Sequence, residues 1–203
     1  MKKQTIITIL LALVALTGWG QKLKTIEATF QDYIPLLNAK GYMAYSFDTR
    51  DFKGKQLEVA VMEYVDGKEV GNYLDFDVSF PVEEKLVIGF APSDNDSLYV
   101  YSFQSDNGEG FTGKLILKPV FVPKEPRIQR YLYQSRPIEL VSTVDTGEFI
   151  PMVLFGSYWY DADSGFFRFC GDNLIKPDFS SDIIKYTPHF YILGIKIKEK
   201  KKM

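Results

Sequence analysis

Residues 56–67 read QLEVAVMEYVDG, from Gln56 to Gly67. Leu57, Val59 and Val61 recur at every second position, so an extended chain carries them on one face. Asp66-Gly67 follows at once, and this dipeptide tolerates the left-handed backbone angles that a tight two-residue hairpin demands. A strand with one apolar face that turns back on itself predicts an antiparallel sheet. A second layer must then cover that face.

The same grammar extends along the chain. Leu74, Phe76, Val78 and Phe80 alternate with Asp75, Asp77 and Ser79. Strands are predicted at 86–90 and 98–103 on either side of the turn cluster Ser93-Asp94-Asn95-Asp96, and Asn107-Gly108 leads into Leu115-Ile116-Leu117. Later strands are expected at 138–144, 152–160, 166–170 and 190–197. Ten prolines and fifteen glycines punctuate this pattern, as in sandwiches and barrels. The expected fold is all-β, mainly an antiparallel β-sandwich, with a short N-terminal helix. That helix is predicted within 25–40, where Ile26, Phe30, Ile34 and Leu37 hold helical spacing. Thr25 is its expected cap and Gly41 its stop, and Pro35 is expected to kink or end it near Ile34.

The front of the chain reads as an address. A basic start, Met1-Lys2-Lys3-Gln4, precedes an apolar run from Ile6 to Leu16 that is too short to cross a bilayer. Leu16-Thr17-Gly18 fits a lipid-attachment signal, but Trp19 stands where the acylated cysteine belongs. Gly18 and Gly20 instead supply the small residues of an ordinary cleavage site. Residues 1–20 are therefore expected to be a signal peptide and 21–203 a single β-rich domain. A candidate sub-domain break lies near 119–127, around Val122-Pro123-Lys124-Glu125-Pro126. The expected location is periplasmic or extracellular, with neither a lipid anchor nor a transmembrane segment.

Loss of Lys2 and Lys3 with the leader takes the formal charge from −2 to −4. Lys196–Met203 holds five lysines and one glutamate, which leaves the body at −8. An acidic body repels phosphate backbones, so nucleic acid is not an expected partner. Cys170, the single cysteine, cannot form an internal disulfide and is predicted to be a buried apolar filler within Phe166–Cys170.

His189, the single histidine, removes every site that needs two imidazoles, including HExxH zinc centres. A pairing of Cys170 with His189 has little support, because a reactive thiolate needs an electropositive and partly exposed setting. Asp161-Ala162-Asp163-Ser164-Gly165 suggests a calcium loop, but glycine stands at its fifth position and Phe166 at its sixth, so a hairpin turn is expected instead. No catalytic residue, cofactor or metal ligand is expected. The candidate ligand-binding residues are Tyr158, Trp159, Tyr160, Asp161 and Asp163. Three consecutive aromatics before an acidic turn suit the apolar faces and hydroxyls of a sugar.

The stretch Gly156–Gly194, "GSYWYDADSGFFRFCGDNLIKPDFSSDIIKYTPHFYILG", resembles a family of secreted proteins of Bacteroides-type bacteria. They are all-β chains of about 200 residues, and the likeness takes in the export signal and the β-rich body. It implies export and carries no activity or site residues. The expected function is an exported, non-enzymatic β-domain that binds a glycan or a protein or is associated with the cell surface. Two alternatives stand beside it. A carbohydrate-active enzyme would show two carboxylates in one cleft, and a structural subunit would show an exposed, unpaired edge strand.

Overall fold

A computed structural model describes residues 29–81, 83–122, 125–141 and 147–199. The signal segment, Thr25, Pro123, Lys124 and the lysines after Glu199 lie outside the described residues. The chain divides into two compact units, Met1–Ile34 and Pro35–Met203. Of the first, only Thr29–Ile34 is described.

The helix α1 runs Phe30–Ala39 with Pro35 inside it, so it does not end at Ile34. Its first residue follows Thr29, and the expected cap, Thr25, lies outside the described residues. The Thr29 amide and hydroxyl both donate to Asp32 Oδ2, at 2.7 and 2.9 Å, so the carboxylate of the third helical residue reaches back to the helix start. These bonds hold the Asp32 carboxyl below its usual range. The helix ends at Gly41, whose φ of 90° is the left-handed stop that the sequence suggests.

Four antiparallel strands form the first sheet. They are β1 (Met43–Asp48), β5 (Lys85–Pro92), β6 (Leu98–Ser105) and β7 (Gly110–Ile116), in that spatial order. The second sheet runs β10 (Tyr133–Pro137), β11 (Phe149–Ser157), β14 (His189–Lys198), β2 (Gln56–Val65) and β3 (Lys68–Asn72). The strand β4 (Val78–Pro81) lies beside β3 on the free edge of β2. Between β7 and β10 the chain crosses from one sheet to the other. On the way it makes a hairpin of β8 (Val120–Val122) and β9 (Glu125–Arg130).

The opening stretch folds as its alternation requires. Val65 pairs with Lys68 across Asp66-Gly67, whose φ values of 49° and 72° make the two-residue turn. Leu57, Val59 and Val61 enter the core between the sheets with Leu86, Ile88, Phe103, Leu193 and Ile195. The opposite face of β2 and β14 is also covered. Ile138, Leu154, Phe169, Ile175, Ile183, Phe190 and Ile192 form a second core there. Part of its cover comes from the short helix α2 (Asp182–Tyr186). Covering both faces explains why β14 is apolar almost throughout, apart from an ion pair at its end, where Lys196 Nζ lies 3.9 Å from Glu58 and Lys198 reaches the same carboxylate.

Several predicted strands shift. Leu74 and Phe76 precede β4 instead of joining it. Of the strand expected at 138–144, residues 142–144 lie outside the described residues; β10 stops at Pro137, and Ile138 makes only an isolated parallel bridge to Ile175. The stretch 152–160 divides into β11 and β12 (Trp159–Asp161), and β12 pairs with β13 (Phe166–Arg168). Because β13 stops at Arg168, Phe169 turns into the second core and Cys170 turns out. Cys170 is exposed, which corrects the buried placement expected from its phenylalanine neighbours.

Candidate functional site

Two polar arrangements stand out, and both involve the edge strand β10. The first is internal. Glu63 continues the inward row Leu57, Val59, Val61 on β2, and His189 heads the inward row of β14. His189 is 2% exposed. Its Nε2–H donates to Glu63 Oε1 at 3.0 Å, and its Nδ1 accepts from the Tyr133 hydroxyl. Lys118 completes the chain twice, with Nζ 3.3 Å from Glu63 Oε1 and its amide donating to the Tyr133 oxygen at 3.0 Å. The His189 amide donates to Ser157 Oγ at 3.3 Å.

An acid, an imidazole and a hydroxyl in series have the outline of a nucleophilic triad. Here the hydroxyl is a phenol, and burial pushes its pKa well above the ordinary tyrosine range. Burial also holds the His189 imidazole below its usual value, against the opposing pull of Glu63. Ring nitrogens and hydroxyl are all occupied, so the array joins β2, β14, β10 and the segment after β7 and places Tyr133. Cys170 is not among the partners of His189.

The second arrangement is a cleft of about 490 Å³ between β1 and β10, the edge strands of the two sheets. Tyr45, Tyr99, Tyr133 and Tyr158 line it together with Gln134 and Arg136. Tyr99 and Tyr133 rest on the buried ring of Phe155, with centroids 4.9 and 5.3 Å away. The Tyr99 hydroxyl donates to the Gly41 carbonyl, and burial pushes its pKa up to about 12. Across the cleft the Tyr45 hydroxyl donates to Ser135 Oγ at 2.8 Å, and Ser135 donates to Met43 Sδ at 3.0 Å.

The outer wall is a stack. Tyr158 lies on Phe169 at 5.3 Å and 23°, and the Arg136 guanidinium covers the same Phe169 ring at 5.0 Å. The Tyr158 hydroxyl donates to Gln134 Oε1 at 2.9 Å. None of the described residues that line this cleft is acidic.

The five residues expected from sequence separate. Tyr158 lines the cleft. Trp159 stacks on Tyr186 of α2 at 5.6 Å and packs against the second core. Tyr160 meets Phe167 edge-on within the β12–β13 hairpin. Asp161 accepts from Ser164 at 2.8 Å, from the Asp163 amide at 3.1 Å and from Arg168 at 2.6 Å, so the turn uses its oxygens. Asp163 is exposed at that turn, away from the cleft lining. Tyr45, Tyr99, Tyr133, Gln134 and Arg136 escaped sequence reasoning, because four distant segments supply the lining. One signal was present: Glu63 and His189 interrupt otherwise apolar inward rows.

Among the described residues, no group of three or more His, Cys, Asp or Glu side chains is arranged to hold a metal ion. No helix among them is long and apolar enough to cross a membrane.

Neither the curated proteins nor the solved structures include a match to this chain. A family model does match, over residues 76–199, which takes in most of both sheets, β10 and Tyr158. The chain belongs to the family described as "Domain of unknown function (DUF5041)".

Proposed function

We propose that the protein is an exported, non-enzymatic binding domain that takes a glycan in the cleft between β1 and β10. The observation that carries this reading is the lining of that cleft: four tyrosine rings, two amides and a guanidinium, with no carboxylate among the described residues. Rings with a polar handle stack on the apolar faces of sugars, and Gln134 supplies donors for hydroxyl groups. Hydrolysis of a glycosidic bond ordinarily employs two carboxyl groups about 5–10 Å apart across the bond. A lining without acids therefore favours binding over hydrolysis. Export rests on the basic start, the apolar run and the Gly18/Gly20 exit at the front of the sequence.

Glycan-array screening of the protein isolated from the cell envelope, followed by calorimetric titration, tests the reading. Tyr158→Ala is expected to weaken binding by about five- to tenfold, the worth of one aromatic stacking contact. Tyr158→Phe keeps the ring on Phe169 and should lose less. Unchanged affinity in a folded Tyr158→Ala variant would contradict the site. An intact mass that retains residues 1–20 would remove export from the reading.

A further inference from the structure

We infer that the ligand of this cleft is an acidic saccharide whose carboxylate or sulfate is held by Arg136. This deepens the glycan reading and rests on it. Among the described residues that line the cleft, Arg136 is the only charged one. Its Nη1 donates to the Ser135 carbonyl at 3.1 Å and its Nη2 to the Phe169 carbonyl at 3.4 Å. The Nε–H is buried and has no hydrogen-bond partner among the described residues. Two of the five guanidinium N–H groups are therefore engaged, and each Nη keeps one N–H for another acceptor.

No described carboxylate comes within ion-pair distance of Arg136, although the chain has 26 acidic residues. Arg50 and Arg168 each meet an aspartate, Asp48 and Asp161. A half-buried cation without a counterion is costly to the free protein. Arginine is the cation suited to such a place, because its planar, weakly hydrated head stacks on a ring while its edge stays open to an oxyanion. Phe169 and two carbonyls hold that plane still, so little side-chain freedom remains to be lost on binding.

Gln134 stands two residues before Arg136 on the same face of β10. Its amide oxygen is taken by Tyr158, which leaves the amide nitrogen to donate to a sugar oxygen. An anion on one side of a sugar ring and hydroxyls on the other would meet this pair in order. With no acid in the lining, nothing in the cleft opposes the negative charge.

The test is calorimetry on the protein without residues 1–20. The probes are tetrasaccharides of galacturonate, of mannuronate and of hyaluronan, each against its methyl ester, and a sulfated chondroitin tetrasaccharide against its desulfated form. At least one acidic probe should bind about tenfold or more tighter than its neutral counterpart, the scale of one charge-assisted hydrogen bond. Arg136→Gln should erase that preference. The gap should also narrow with added salt in the wild type, which carries the test if the variant does not fold. A uronate preference would assign a carboxylate and a chondroitin preference a sulfate. Acid and neutral forms of equal affinity would overturn the inference and leave the glycan reading standing. A preference retained in folded Arg136→Gln would overturn it as well. Binding of neither form would remove the glycan reading with it, as would capture of a peptide C-terminal carboxylate in place of every sugar.

Discussion

At the scale of single residues, the buried array around His189 does more for the fold than its polarity suggests. Four segments far apart in sequence meet there through hydrogen bonds that leave neither ring nitrogen nor the Tyr133 hydroxyl unmet. His189→Phe would take one hydrogen-bond partner from the Glu63 carboxylate and one from the Tyr133 hydroxyl, and leave each with Lys118 alone. A loss of about 1–3 kcal/mol is expected, the cost of hydrogen bonds removed from buried polar groups. Denaturant unfolding at neutral pH measures it. Glu63, Lys118, Tyr133 and Tyr191 are the titratable groups that face this imidazole. Burial lowers the folded-state pKa of His189 beneath its ordinary 6.5, so the unfolded chain takes up the proton first. The contribution of neutral His189 is therefore full above pH 6.5 and is lost as pH falls from there toward the lowered value. In His189→Phe this segment of the stability–pH curve should flatten. A wild-type curve already flat over that window would contradict the burial argument.

Elements in this protein are decided by parity. Met152 is the extra residue of a β-bulge, since Pro151 pairs with Gly194 and Val153 with Leu193. Ile150, Met152, Val153 and Phe155 consequently all join the core between the sheets, while Leu154 joins the second core. Simple alternation misses such a step. Gly194 sits at the same crossing, and any Cβ there would collide with the Ile150 carbonyl and the Phe149 ring. Gly194→Ala is expected to destabilise the protein by about 1–3 kcal/mol, with an unchanged denaturant slope. Equal midpoints for the variant and the wild type would show that the two strands can separate freely.

Edge strands bear on assembly by strand pairing. β10 is interrupted by Pro137, bridged at Ile138 by Ile175, and has its Ser135 carbonyl occupied by Arg136. β3 carries Lys68 and Glu69 and bulges at Val70. These are devices that discourage an incoming strand, and they weigh against the assembly reading at those two edges.

For the whole molecule, the layers were legible and the site was not. Period-two rows such as Leu57, Val59 and Val61 state which face is dry, and Asp66-Gly67 states where the chain reverses. Both are local signals. The second core was harder to read, because the segment that covers β14 has little regular structure between Phe169 and α2. The cleft combines residues 45, 99, 133–136 and 158, and no local pattern marks where two sheet edges approach each other. Tyr158 was found because its neighbours are aromatic, yet Trp159 and Tyr160 serve packing instead. Cys170 was misplaced for a related reason: an apolar neighbourhood in sequence does not show which way the chain turns after a strand ends.

The central claim is that ligand enters between β1 and β10. Amide chemical-shift mapping tests it most directly, with the isotopically labelled protein lacking residues 1–20 titrated by the tightest-binding tetrasaccharide of the acidic series. The largest shifts should fall at Tyr45, at Gln134 to Arg136 and at Tyr158, with small shifts in the Asp161–Arg168 hairpin. Shifts centred on that hairpin, with β10 unmoved, would contradict the account.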